Sequence, residues 1–157
     1  MSAPTYLQIA IDGPAASGKT TVAHGLARRL GILYLDTGAM YRALAYLAIQ
    51  SRTDADNEDA LVRLWETSNV SVTLDETVPL GFRIVAAAAE LDERTLQSNQ
   101  VTAIVSTIAA HPKIREAMVR SQRAVAERGA VVMCGRDIGT VVLPLAAVKI
   151  FLTASVP

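Results

Sequence analysis

The chain has 157 residues, with 15 Lys+Arg against 15 Asp+Glu, 51% hydrophobic residues, 4% aromatics and one cysteine. That is enough to bury the core of one domain. A net charge of zero excludes the general electrostatic pull on a nucleic acid polymer or an anionic membrane that an excess of Lys and Arg provides.

Tyr6 to Ile11 is a short apolar run that ends at Asp12-Gly13-Pro14, and helical periodicity follows from about Lys19 to Leu30, where Gly31 stops it. Leu33 to Leu35 reads as a second buried strand. Asp36-Thr37 can cap a helix over about Ala39 to Gln50 with apolar Leu44, Leu47 and Ala48. This βαβα order predicts a parallel sheet. After a polar connection, Ser51 to Asp56, a helix is expected over Glu58 to Trp65. From Asn69 to about Asp92 the pattern alternates through Val70, Val72, Leu74, Phe82 and Ile84 around Pro79 and Gly81, which predicts a small antiparallel insertion. Helices are expected from Ser98 to Ala110 and from Pro112 to about Arg128, the latter ended by Gly129. Val131 to Met133 and Val148 to Leu152 read as two more buried strands. An α/β domain is expected to continue from such a strand into a helix, so the stop at Pro157 reads as truncated or disordered.

With Cys134 as the one cysteine, no intramolecular disulfide forms, and neither His24 nor His111 has a Cys or His at metal-ligand spacing. Both histidines are expected at helix surfaces or boundaries, without a catalytic role. No signal-peptide pattern opens the chain, and no uncharged apolar run reaches the ~18 residues of a membrane helix. A reduced cytoplasm is the expected setting.

Gly13-Pro14-Ala15-Ala16-Ser17-Gly18-Lys19-Thr20 fits G-x-x-x-x-G-K-[ST], and Thr21 follows it. The pattern lies between a predicted strand and a predicted helix, the context in which backbone N–H groups converge on phosphates. There Lys19 reaches the β/γ-phosphates and the Thr20 hydroxyl suits Mg²⁺. Asp36 to Arg42 places a hydroxyl, Thr37, at a helix start and Arg42 about one turn further, a pair that could meet an anion or serve as an ordinary cap and a solvated arginine. Gly135-Arg136-Asp137-Ile138-Gly139-Thr140 follows a buried strand, at the sheet edge where open α/β folds bind ligands, or forms a salt-bridged turn.

Taken in order, Ile11 to Thr21, Leu35 to Arg42 and Gly135 to Val142 resemble the bacterial-type cytidylate kinases, as do Ser106 to Arg123 and Ala147 to Leu152. The resemblance implies a P-loop nucleoside-monophosphate-kinase fold, α/β, with a parallel five-stranded sheet flanked by helices. It implies a single domain over 1–157, with the core at 1–66 and 97–157 and an acceptor-binding insertion at about 67–96. It further implies ATP and Mg²⁺ as cofactors and CMP or dCMP as acceptor, with no nucleic acid polymer and no membrane as partner, and a monomer is expected. Carried over position by position, Thr37, Arg42 and Arg136 go to the acceptor phosphate, and Ser106, Arg115 and Asp137 to the cytosine. Lys19, Arg42 and Arg136 are the candidate catalytic residues and Thr20 the metal-facing one. A carboxylate and donors suit cytosine, which offers an exocyclic amine and ring acceptors.

Two departures stand out. The family continues into an arginine-rich lid that this sequence lacks, so weak or no turnover is expected of a chain ending at Pro157. The residue before Gly135 is usually acidic in the family, and here it is Cys134. The alternatives are another small P-loop kinase, with AMP, UMP or shikimate as acceptor, and a nucleotide-binding fragment without turnover. A GTPase-like switch lacks its Asn/Thr-Lys-x-Asp guanine pattern here.

Overall fold

The structure, a computed structural model, describes residues 3–154; the expectation attached to Pro157 lies outside them. These residues form two compact units, one of residues 3–37 and 122–154 and one of residues 38–121.

The first unit is built on a parallel sheet of four strands in the order β2-β6-β1-β7: β1 (Gln8–Asp12), β2 (Leu33–Asp36), β6 (Val131–Gly135) and β7 (Val148–Phe151). The five-stranded expectation is therefore corrected to four among the described residues. The apolar runs of this sequence account for four parallel strands, and the fifth rested on the resemblance alone. β1 is buried along its whole length, and Val131 to Cys134 of β6 are likewise buried, as central strands of a parallel sheet must be. β7 is an edge strand and not the buried strand expected, because with a neighbour on one side alone it leaves Val148 and Phe151 exposed. Between β1 and β2 runs α1 (Lys19–Leu30), closed by Gly31 in the left-handed conformation at φ 63°. A short π-helical turn over Ile138–Val142, which no sequence pattern announced, follows β6.

α2 (Thr37–Ser51) begins directly at the end of β2, two residues ahead of expectation, so Thr37 is a helical residue and no loop separates strand from helix. The second unit continues with α3 (Glu58–Thr67), an antiparallel sheet and three more helices: α4 (Glu93–Leu96), α5 (Asn99–Ala110) and α6 (Pro112–Ala126), whose last residues belong to the first unit. Asn57, Asp92 and Ser98 cap α3, α4 and α5 by accepting from the backbone N–H three residues on. α6 ends two residues before the expected Arg128. The insertion is a three-stranded meander, β3 (Ser71–Leu74), β4 (Phe82–Ala86) and β5 (Ala89–Leu91), with Leu74 opposite Phe82 and Ala86 opposite Ala89. Phe82, Ile84 and Leu91 are buried, which is what the alternation predicted of the first two.

Candidate nucleotide-binding site

The parallel registers put Asp12 opposite Gly135 and Asp36 opposite Cys134, so the carboxyl ends of β1, β2 and β6 form one edge. Ligands of open α/β sheets bind outside that edge. Three segments leave from it: the Gly13–Thr21 loop, the start of α2, and Arg136–Asp137.

The loop is bent by Ala16 at φ 59° and Gly18 at φ 82°, both left-handed, the geometry that turns successive N–H groups toward one point. A Cβ on Gly13 would run into the Leu152 carbonyl, so the loop can leave β1 here only through a glycine. Gly18 is the N-cap of α1 and supplies no side-chain cap, and no acidic residue stands in the first turn, so the helix N-terminus keeps its positive potential for a ligand. Ser17 Oγ is buried without a hydrogen-bond partner. A buried hydroxyl left unsatisfied in a cradle of this shape suits a phosphate oxygen. Lys19 folds back and donates to the Pro14 carbonyl at 2.5 Å. Pro14, Ala15, Ala16, Gly18 and Thr20 are exposed, so the cradle is open to solvent.

Thr37 is buried and donates to the Cys134 carbonyl at 3.1 Å. Cys134 itself is buried beside Tyr34, whose hydroxyl lies 3.5 Å from its sulfur. Burial and the charge of Asp36 push the thiol up to about 12, and burial pushes the Tyr34 phenol well above its ordinary range. Cys134 is therefore a neutral thiol at neutral pH and no ligand for a hard cation such as Mg²⁺. Tyr34 also stacks on His24, with ring centroids 5.3 Å apart, while His111 donates from its ring to the Ala55 carbonyl at 2.8 Å.

Arg136 is exposed, and Asp137 opens the π-helical turn, its carbonyl accepting from Val141 and Val142. Asp12, which the sequence reading passed over, is buried, and its carboxylate accepts from the Ile138 N–H at 2.6 Å and the Gly139 N–H at 2.8 Å. Its one sequence signal is an acid closing an otherwise apolar strand, which burial obliges to find donors.

In the second unit Arg42 donates through Nη1 to the Leu96 carbonyl at 3.1 Å and to Thr102 Oγ1 at 3.0 Å. Thr102 and Ser106 are four residues apart on α5 and share a face, so Arg42 is held against the face that carries Ser106. Arg115 lies on α6. Thr37, Arg136 and Asp137 thus belong to the first unit, and Arg42, Ser106 and Arg115 to the second. Among the described residues no three His, Cys, Asp or Glu stand together as a metal cluster, and no helix is long and apolar enough to cross a membrane.

The cytidylate kinase family model matches residues 9–157. The chain is 51% identical over 150 residues to a cytidylate kinase of a Geobacillus species, covering 96% of this chain and 65% of that protein. It is 49% identical to one of Anoxybacillus flavithermus, with 96% and 65% covered, and 47% identical to one of Streptococcus pneumoniae, with 96% and 66% covered. The chain thus spans 65 to 66% of the length of these curated relatives. A G-x-x-x-x-G-K-[ST] loop at the carboxyl edge of a parallel sheet, together with a family match running from β1 to the last residue, places this chain in the cytidylate kinase family.

Proposed function

We propose that the protein carrying this chain transfers the γ-phosphoryl group of ATP to CMP or dCMP, giving CDP or dCDP, as a single kinase domain whose 67–96 insertion serves the acceptor. The observation that carries the proposal is the Gly13–Thr21 cradle standing on the same sheet edge as Thr37 and Arg136–Asp137. Phosphoryl transfer spreads charge over the equatorial oxygens and needs donor and acceptor in line, so the protein contributes positioning and electrostatic stabilisation.

In this reading the Lys19 ammonium exchanges the Pro14 carbonyl for the β/γ-phosphates. The loop N–H groups and the start of α1 hold the remaining phosphate charge. Thr37, Arg42 and Arg136 hold the acceptor phosphate, and Ser106, Arg115 and Asp137 read the cytosine. An acceptor phosphate oxygen attacks directly and no side-chain nucleophile is needed. Mg²⁺, when bound, neutralises phosphate oxygens, and Thr20 together with those oxygens would hold it. A monomer in the cytoplasm belongs to the same proposal.

Calorimetric titration of the chain with CMP, dCMP, UMP and AMP tests it. CMP or dCMP is expected to bind at least ~10-fold more tightly than AMP, the discrimination that one well-placed set of base contacts supplies. Tighter binding of AMP would remove the cytosine roles of Ser106, Arg115 and Asp137.

A further inference from the structure

We propose that Asp12 is a positioning residue that holds Arg136 and Asp137 in place for the acceptor; the inference rests on the kinase reading above. Asp12 grips that segment at both ends. On one side, Gly135 is its partner in the β1–β6 register. On the other, the Asp12 carboxylate accepts from the N–H groups of Ile138 and Gly139, at 2.6 and 2.8 Å. Between these anchors lie only Arg136 and Asp137. The Asp137 carbonyl is itself fixed by Val141 and Val142, so the backbone carrying both side chains has no slack. Both carboxylate oxygens are engaged, and the residue is 8% exposed. A buried carboxylate bonded through both oxygens to a neighbouring segment serves to hold that segment, and its charge strengthens both bonds.

The same residue is the last before the phosphate cradle, and its carbonyl accepts from the Leu152 N–H at 2.7 Å. One residue therefore fixes the departure of the donor loop through its backbone and the acceptor segment through its side chain. The two jobs separate by substitution. Asp12→Asn leaves the backbone alone but keeps only one acceptor oxygen and turns an amide NH₂ toward a second N–H.

Two measurements on the chain test this. In Asp12→Asn, amide hydrogen exchange at Ile138 and Gly139 is expected to speed up at least ~10-fold, with Val132 and Met133 in β6 still protected. CMP affinity is expected to fall at least ~10-fold, with Mg²⁺–ATP affinity changed less than ~3-fold, because only the acceptor segment is released. Unchanged exchange at the two amides overturns the proposal, as does faster exchange with unchanged CMP affinity, or an equal fall for both nucleotides. If Asp12→Asn does not fold, Gly139→Ala is measured instead. Its Cβ would lie 3.2 Å from Asp12 Oδ2 and 3.2 Å from Lys149 Cδ, so it loosens the same grip and is expected to show the same pattern at smaller size. An unmodified chain that binds no CMP removes the kinase reading, while the exchange measurement still decides whether Asp12 holds the segment.

Discussion

Cys134 stands at the carboxyl end of β6, opposite Asp36 and two residues before Arg136. Its thiol ionises only near 12, because burial and the neighbouring Asp36 carboxylate both disfavour a thiolate, against the weaker pull of Tyr34 and Lys19. In the unfolded chain the same thiol ionises near the ordinary cysteine value of 9.0. Between those values the unfolded state has lost a proton that the folded state keeps. Stability is therefore unaffected below pH 9 and falls as pH rises from there toward 12. Tyr34, shifted the same way, adds to the decline once its own unfolded range is reached. Iodoacetamide is accordingly expected to label the native chain at about pH 8 at least ~100-fold more slowly than the denatured chain, read by mass spectrometry, since the thiolate is the nucleophile. Labelling at comparable rates would mean that Cys134 is neither buried nor shifted.

Among the elements, the β4–β5 hairpin has a local sequence that disagrees with its conformation. Ala87 and Ala88 join the two strands with φ of 49° and 63°, both left-handed, in a two-residue turn closed by the Ala86–Ala89 pair. Such turns favour Asn-Gly, whereas alanine has a Cβ that clashes in this region, at ~1–2 kcal/mol per residue. Replacing Ala87-Ala88 by Asn-Gly is expected to stabilise the chain by about 1 kcal/mol, seen as a higher denaturant midpoint at unchanged slope. A lower midpoint would show that the turn is not left-handed. The disagreement also explains why β5 escaped the sequence reading, since four consecutive alanines, Ala86 to Ala89, carry neither alternation nor turn chemistry. Asp75 and Arg83, paired across the other end of the insertion, were equally silent, because an ion pair eight residues apart leaves no periodic mark.

At the scale of the whole chain, each unit buries its own apolar set: Ile11, Leu35 and Met133 in the first, and Leu44, Leu61, Ile84, Ile108 and Met118 in the second. Met133 lies on β6 between β1 and β2, opposite Ala10 and Leu35 and with no exposed surface. Met133→Ala is expected to cost about 2–5 kcal/mol, measured by denaturant unfolding. Exposed Ser106→Ala, on α5, is expected to stay within about 0.5 kcal/mol. A mild effect at Met133 would mean that the sheet centre relaxes around the void.

The sequence by itself determined the Gly13–Thr21 loop between strand and helix, the four parallel strands and the numbered α-helices other than the short α4. These are local: the Gly13–Thr21 pattern, the apolar runs and the stop at Gly31 each act within about a dozen residues. Only the tertiary structure decided what happens across the sheet edge. Asp12 and Gly139 lie 127 residues apart, and no periodicity connects a strand's last acid to a turn's amides that far along the chain. Arg42 meets Leu96 at the end of α4 and Thr102 on α5 for the same reason, through tertiary contacts 54 and 60 residues away rather than through spacing. Cys134 reads in sequence as a small apolar residue. Its place beside Asp36 and Tyr34, and with it the neutral thiol, follows from strand register, which long-range pairing sets.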